Sequence, residues 1–211
     1  MAVVNFNKKF LYIHIWKSGG TSMKNYLFRV PETIEIGNYH DGISDIILSN
    51  KSIDWDDFLK ISIVRNPYDW YISFWKYSTS LSEHWMNTHP LQIEFSENFL
   101  KSKKFEDFTF LEFLSFIVYL KSKTEFKTSQ MDFLTHDGSL KIDLLIKLEN
   151  INNSLPKIEK KLQFSIGDFP HLNNTIHQSY SFYYTDECYS IVNSLCERDF
   201  FLFDYKMENI I

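Results

Sequence analysis

Three short stretches of the chain are almost continuously apolar: FLYIHI at 10–15, KISIV at 60–64 and IDLLIKL at 142–148. Runs of this length, rich in Ile, Leu, Val and Phe, read as strands buried on both faces. Each is followed by a turn and then by helical spacing. WKSGG and TSMKNYLFRV follow the first. Arg65-Asn66-Pro67 follows the second, and Asn66 as N-cap with Pro67 as first helical residue predicts a helix over YDWYISFWKY. After the third, Leu155, Ile158 and Leu162 share one face of a helix from about 153. Strand, turn and helix repeated in this order predict an α/β fold. Its expected form is a central parallel sheet covered by helices on both faces.

Two further helices complete the pattern. FTFLEFLSFIVYLK opens with a capping box from Thr109 to Glu112, with Phe108 and Phe113 placed as a staple. Its polar positions Glu112, Ser115 and Tyr119 fall on one narrow stripe, so most of this helix is expected to be buried. The last helix, from Thr185, carries Cys188, Ile191, Val192 and Leu195 at helical spacing. Between about 81 and 106 the periodicity fails. A connection that long is a lid or binding segment unless it hides a helix. It holds His84, Trp85, Met86 and His89. The two histidines have no third ligand nearby in sequence, so no metal site is expected there.

Composition adjusts this picture in three ways. A chain of 211 residues is expected to form a single domain, 1–211, and can bury a core without disulfides or metals. Aromatic residues reach 18%, whereas there are only six glycines, two of them adjacent at Gly19-Gly20. So rare a residue marks a backbone with a special task. The net charge of −5 argues against nucleic acid or an anionic membrane as partner, though not against a small basic pocket. Cys188 and Cys196 are eight residues apart, roughly 12 Å along a helix and too far for a disulfide. Two reduced thiols suit a cytoplasmic setting. No apolar run approaches the ~20 residues of a membrane span, and no signal peptide is read, so a soluble protein is expected.

The chemistry concentrates in two places. In IHIWKSGGTS, residues 13–22, the glycine pair lets the chain turn tightly and bring N–H groups to a ligand. Thr21 and Ser22 add hydroxyls, the following helix turns its positive end to the same spot, and Lys17 adds a point charge. Such a cradle suits a phosphate-like group; the alternative is an ordinary turn with a solvated lysine. The lysine precedes the glycines, unlike the GxxxxGK[ST] pattern of triphosphate-binding loops. The second place is Arg65, at the carboxyl end of a strand, where ligands of open α/β sheets bind. With Ser73 on the following helix it can hold a second phosphate; the alternative is an ion pair with Asp69.

These residues resemble the sulfotransferase family. IHIWKSGGTS is similar to the family's 5′-phosphosulfate loop, commonly H-I-P-K-T-G-G-T-S in the Golgi-type and related bacterial carbohydrate branch. SIVRNPYDWYISFWKY is similar to the 3′-phosphate motif R-N-P-Y-D-R-x-x-S-x-Y. Ser129-Gln130 through Phe133-Leu134, Ile142 to Glu149, PHLNNT at 170–175, YYTDE at 183–187 and Asp199-Phe200 through Tyr205 extend the likeness over nearly the whole chain. Trp16 replaces the usual proline, Ser18 the usual threonine, and Trp70 a frequent arginine.

The resemblance implies a P-loop-like three-layer fold with a central parallel sheet flanked by helices. It implies 3′-phosphoadenosine 5′-phosphosulfate as donor, 3′,5′-adenosine bisphosphate as product, and a hydroxyl acceptor, first of all on a carbohydrate. No metal is required. It implies that Lys17 neutralises charge on the bridging oxygen. Ser18, Gly19, Gly20, Thr21 and Ser22 would hold the 5′-phosphate, and Arg65 with Ser73 the 3′-phosphate. His40, in NYHDGISDI, stands where related enzymes often carry the base, its alternative being to cap a helix at Asp41. His14 is expected to be a buried, hydrogen-bonded strand residue and Glu149 to be structural. His171, Asn173 and Thr175 are placed in a loop near the cofactor. A small-molecule kinase, or a nucleotide-binding protein without turnover, is the competing reading.

Overall fold

The chain begins with a hairpin that the apolar runs do not reveal. In the computed structural model, which describes residues 2–39, 41–80, 90–170 and 178–208, β1 (Ala2–Asn5) returns into β2 (Phe10–Ile13). Only residues 6–9 connect them, and so short a link can join antiparallel strands only. After α1 (Gly20–Leu27), β3 (Ile34–Ile36) pairs antiparallel with β1. Next come α2 (Ile43–Ser49) and β4 (Leu59–Val64), and β4 lies parallel to β2 with Ile13 opposite Ser62. The chain then runs through α3 (Pro67–Ser80) and the hairpin of β5 (Thr135–His136) and β6 (Ser139–Leu140) before β7 (Leu144–Lys147) pairs parallel with β4.

The five-stranded sheet thus has the order β3-β1-β2-β4-β7. Four strands share one direction and β1 opposes them, so the expected central parallel sheet is present as a mostly parallel one. The three strands expected from sequence are β2, β4 and β7. The other two, β1 and β3, carry no pattern that marks them. β3 is only three residues long with two of them exposed, and β1 reads simply as AVVN, too short to show a period.

The chain folds as two compact units, Met1–Arg65 with Gln130–Thr175, and Asn66–Ser129 with Ile176–Ile211. In the first, Val3, Phe10, Tyr12, Ile61, Ile63 and Ile146 of the sheet pack with Met23, Tyr26 and Leu27 of α1 and with Ile151, Ile158 and Leu162 of the helix Ile151–Leu162. The alternate residues Leu11, Ile13 and Val64 are fully buried as well, so the central strands are covered on both faces. Asn5, also fully buried, donates to the Pro31 carbonyl and the Thr33 hydroxyl at 2.7 and 3.0 Å and accepts from the Lys8 N–H. It fixes the hairpin turn against the segment leading into β3.

The second unit is helical. Asn66 caps α3 as expected: its side chain accepts from the Tyr68 N–H at 2.9 Å and its carbonyl from the Trp70 N–H at 2.8 Å. The capping box of the helix Phe110–Lys123 is present, with Phe105 packed on both Phe108 and Phe113. Aromatic rings fill this unit. Tyr68 alone meets Tyr180, Tyr184, Tyr189 and Phe200 at centroid distances of 4.8–5.2 Å, which accounts for much of the aromatic excess as packing. Cys188 and Cys196 are buried thiols, not joined in a disulfide.

Within 81–106, residues Pro90–Phe99 form a helix. Its buried residues are Gln92, Phe95 and Ser96, whereas Ile93 and Phe99 are exposed, so an apolar stripe never marks it. His84, Trp85, Met86 and His89 lie outside the described residues, as do His40, His171, Asn173 and Thr175. Among the described residues no helix is long and apolar enough to cross a membrane.

Candidate functional site

The turn between β2 and α1 is built from two residues in the left-handed region, Lys17 at φ 59° and Gly19 at φ 79°. For Gly19 that conformation is free of steric cost; for Lys17 it stores strain of order 1–2 kcal/mol. Between them Ser18 is fully buried, its hydroxyl donating to the Ile15 carbonyl at 2.7 Å. That bond turns the Ser18 side chain inward, into the turn. Gly19 is the N-cap of α1, and the Met23 N–H reaches its carbonyl at 3.1 Å. No acidic side chain occupies the first turn of α1, so the positive end of the helix is not offset locally.

The two glycines have different causes. A Cβ on Gly19 would meet Leu148 Cδ1 at 2.6 Å and would also have to accept the positive φ. Gly20 has ordinary helical geometry, but a Cβ there would sit 1.9–2.0 Å from the His14 ring. His14, stacked 6.4 Å from Tyr12, therefore packs closely against the start of α1. Gly20→Ala is expected to destabilise the fold by about 1–3 kcal/mol, as overpacking does. His14→Ala in the same chain should recover much of that loss, and urea midpoints of the three variants would check both statements.

Arg65 is the first residue past β4, and because β2 and β4 are parallel it emerges at the same carboxyl end of the sheet as the turn. Its Nη1 donates to the Lys17 carbonyl at 3.4 Å. Burial, and secondarily the nearby Arg65 charge, lower the Lys17 ammonium to about 8. Two cations held this close and partly out of water favour an anion bound with them. Ser62 ties the strands together just below, its hydroxyl donating to the Ile13 carbonyl at 2.9 Å.

One residue of this site shows in the sequence only as part of a motif. Gln130, fully buried, accepts from the Arg65 N–H at 2.8 Å and donates to the Arg65 carbonyl at 2.7 Å. Its signal is its place in Ser129-Gln130; neither charge nor periodicity marks it. Trp16 packs edge-on against Phe133 at 4.7 Å, where the resembling loop has proline.

The remaining expected residues fall as follows. Thr21 is half-buried and Ser22 buried, on the first turn of α1. Ser73 belongs to the second unit, buried on α3 two turns from its start. Trp70 is wholly buried there, against Tyr71 and Phe74, so the missing arginine is replaced by core. His40 lies outside the described residues. The helix that follows it is capped by Gly42 and Asp45, the Gly42 N–H donating to Asp45 Oδ2 at 2.8 Å, so the cap does not fall at Asp41. Glu149 is exposed on a short 3₁₀ turn after β7. Asp143 accepts from the Lys60 N–H at 2.8 Å and pairs with its ammonium at 3.1 Å, a latch at the opposite end of the strands from the turn. A cleft of about 520 Å³ opens beside α1, lined by Tyr26, Asn152, Glu159 and Phe169 among others, and includes no residue of the turn.

The family profile described as "Sulfotransferase family" matches residues 1–206. Nothing among curated proteins or solved structures matches the chain.

Proposed function

The chain belongs to the sulfotransferase family, and on that footing we propose that it moves a sulfuryl group from 3′-phosphoadenosine 5′-phosphosulfate to an acceptor hydroxyl, first of all on a carbohydrate. The observation that carries the reading is the convergence of Lys17 and Arg65 on one turn, with the ammonium lowered to about 8. A donor with one anionic group at its 3′ end and another at its 5′ end relieves that repulsion. N–H groups from Ser18 to Gly20, with the Thr21 and Ser22 hydroxyls, hold the 5′-phosphate at the start of α1, and Lys17 sits at its mouth. Arg65 takes the 3′-phosphate, the group to which the family motif also assigns Ser73. The bond from sulfur to the bridging oxygen breaks as the bond to the acceptor oxygen forms. Lys17 stabilises the negative charge left on the 5′-phosphate, and His40 accepts the acceptor's proton. Buried thiols at Cys188 and Cys196, not joined in a disulfide, favour a reducing, cytoplasmic setting.

Thermal unfolding with added nucleotide tests the donor class. At 100 times its Kd, 3′,5′-adenosine bisphosphate should stabilise the protein by about 2.7 kcal/mol. A shift with ATP and Mg²⁺ but none with the bisphosphate would refute the proposal. Binding titrations over pH add a signed expectation. In the free protein Lys17 loses its proton through about pH 8, whereas a bound anion keeps it protonated. Binding above pH 8 must therefore take up a proton, and log K should hold nearly steady below pH 8 and then fall toward one decade per pH unit. Lys17→Met should flatten that fall.

A further inference from the structure

We infer that Gln130 is the positioning residue that aims Arg65, and through it sets the preference for a nucleotide carrying a 3′-phosphate. This rests on the reading of Arg65 as the 3′-phosphate ligand. The ladder of β4 with β2 pairs Leu59 to Ser62 of β4, and that with β7 extends to Val64 opposite Lys147. Arg65 lies one residue beyond, where the chain leaves the sheet for the Asn66 cap of α3. Its N–H and C=O would there need new partners. The Gln130 carboxamide supplies both, at 2.8 and 2.7 Å, copying one further rung of the sheet with a side chain.

Both bonds go to the backbone of Arg65, so they fix φ and ψ at the root of the side chain. The guanidinium, whose Nη1 reaches the Lys17 carbonyl, is then held against the turn instead of swinging with the loop. Gln130 has the means to hold this geometry, being wholly buried at the start of the helix Met131–Leu134, where it is the N-cap residue. Phe133, in that helix, packs on Trp16 of the turn. The same short segment thus contacts the turn through Phe133 and grips the backbone of Arg65 through Gln130. A primary amide suits the second of these: a carboxylate cannot donate to the Arg65 carbonyl, and a thioether has no donor and is only a weak acceptor.

The inference predicts a loss selective for one phosphate. In Gln130→Met, Kd for 3′,5′-adenosine bisphosphate should rise about tenfold or more, while Kd for 5′-AMP, which lacks the 3′-phosphate, should change less than about twofold. Retained 5′-AMP binding shows that the variant is folded. Gln130→Glu, which keeps one bond, serves if the Met variant does not fold, and should show the same selectivity. Adding either Gln130 substitution to Arg65→Ala should cost little more than Arg65→Ala alone, because the residue being aimed is gone. Equal losses for both nucleotides, or a bisphosphate Kd unchanged in the variants, would overturn the inference while leaving the donor reading intact. A wild-type protein that binds the two nucleotides equally would overturn the donor reading, and this inference with it.

Discussion

Arg65→Ala is expected to weaken binding of 3′,5′-adenosine bisphosphate by about 2–5 kcal/mol, roughly 30- to 5,000-fold in Kd. The size follows from the setting. Arg65 is half-buried at the carboxyl end of a central strand, and its removal would leave a phosphate dianion partly desolvated with no fork to meet it. Arg65→Lys should recover only part of the loss, since an ammonium keeps the charge but not the planar pair of donors. The substitution carries a second, independent readout. Arg65 is one of the two causes that depress Lys17, so its removal should raise the Lys17 titration in the free protein above about 8. Burial is the larger cause, so the value should stay below that of an exposed lysine. Isothermal titration with bisphosphate and with 5′-AMP measures the first effect, and the pH dependence of binding the second. An unchanged bisphosphate Kd would remove Arg65 from the site.

Much of this site is legible in the sequence because its chemistry needs local sequence. A turn with a left-handed residue at Gly19 and a close ring at Gly20 leaves a glycine pair, and in a chain with six glycines a pair is conspicuous. The Asn66-Pro67 cap is written in two adjacent residues and is equally plain. What escapes is non-local. β1 and β3 are identified by pairing with each other, and neither is long enough to show a period. The helix Pro90–Phe99 buries Gln92 and Ser96 beside Phe95, so its inner face looks polar. Gln130 reaches across 65 positions of sequence to Arg65, and an uncharged amide gives no sign of which backbone it will hold. The positive φ of Lys17 is hidden for a different reason. Nothing in the residue type announces it; the fold imposes it.

That strained backbone sharpens the second large expectation. Lys17→Ala should reduce turnover by about 10²–10³-fold, the scale seen when a donor aimed at developing charge is removed. The charge on the bridging oxygen grows as the bond to sulfur breaks, so the loss should fall mainly on kcat and less on the donor's KM. Binding of the product bisphosphate, which already carries the full 5′-phosphate charge, should weaken as well. Alanine keeps the side-chain clash that φ 59° imposes, whereas glycine does not. Lys17→Gly should therefore lose turnover to the same degree as Lys17→Ala, yet unfold at a higher denaturant concentration than Lys17→Ala. Both should escape the cost of holding an ammonium half-buried beside Arg65. Opposite signs for stability and turnover in one substitution are what a residue held in strain for its chemistry produces. A Lys17→Gly protein that retained full turnover would show that the charge is not used, and a Lys17→Gly protein less stable than Lys17→Ala would show that the backbone of the turn is unstrained.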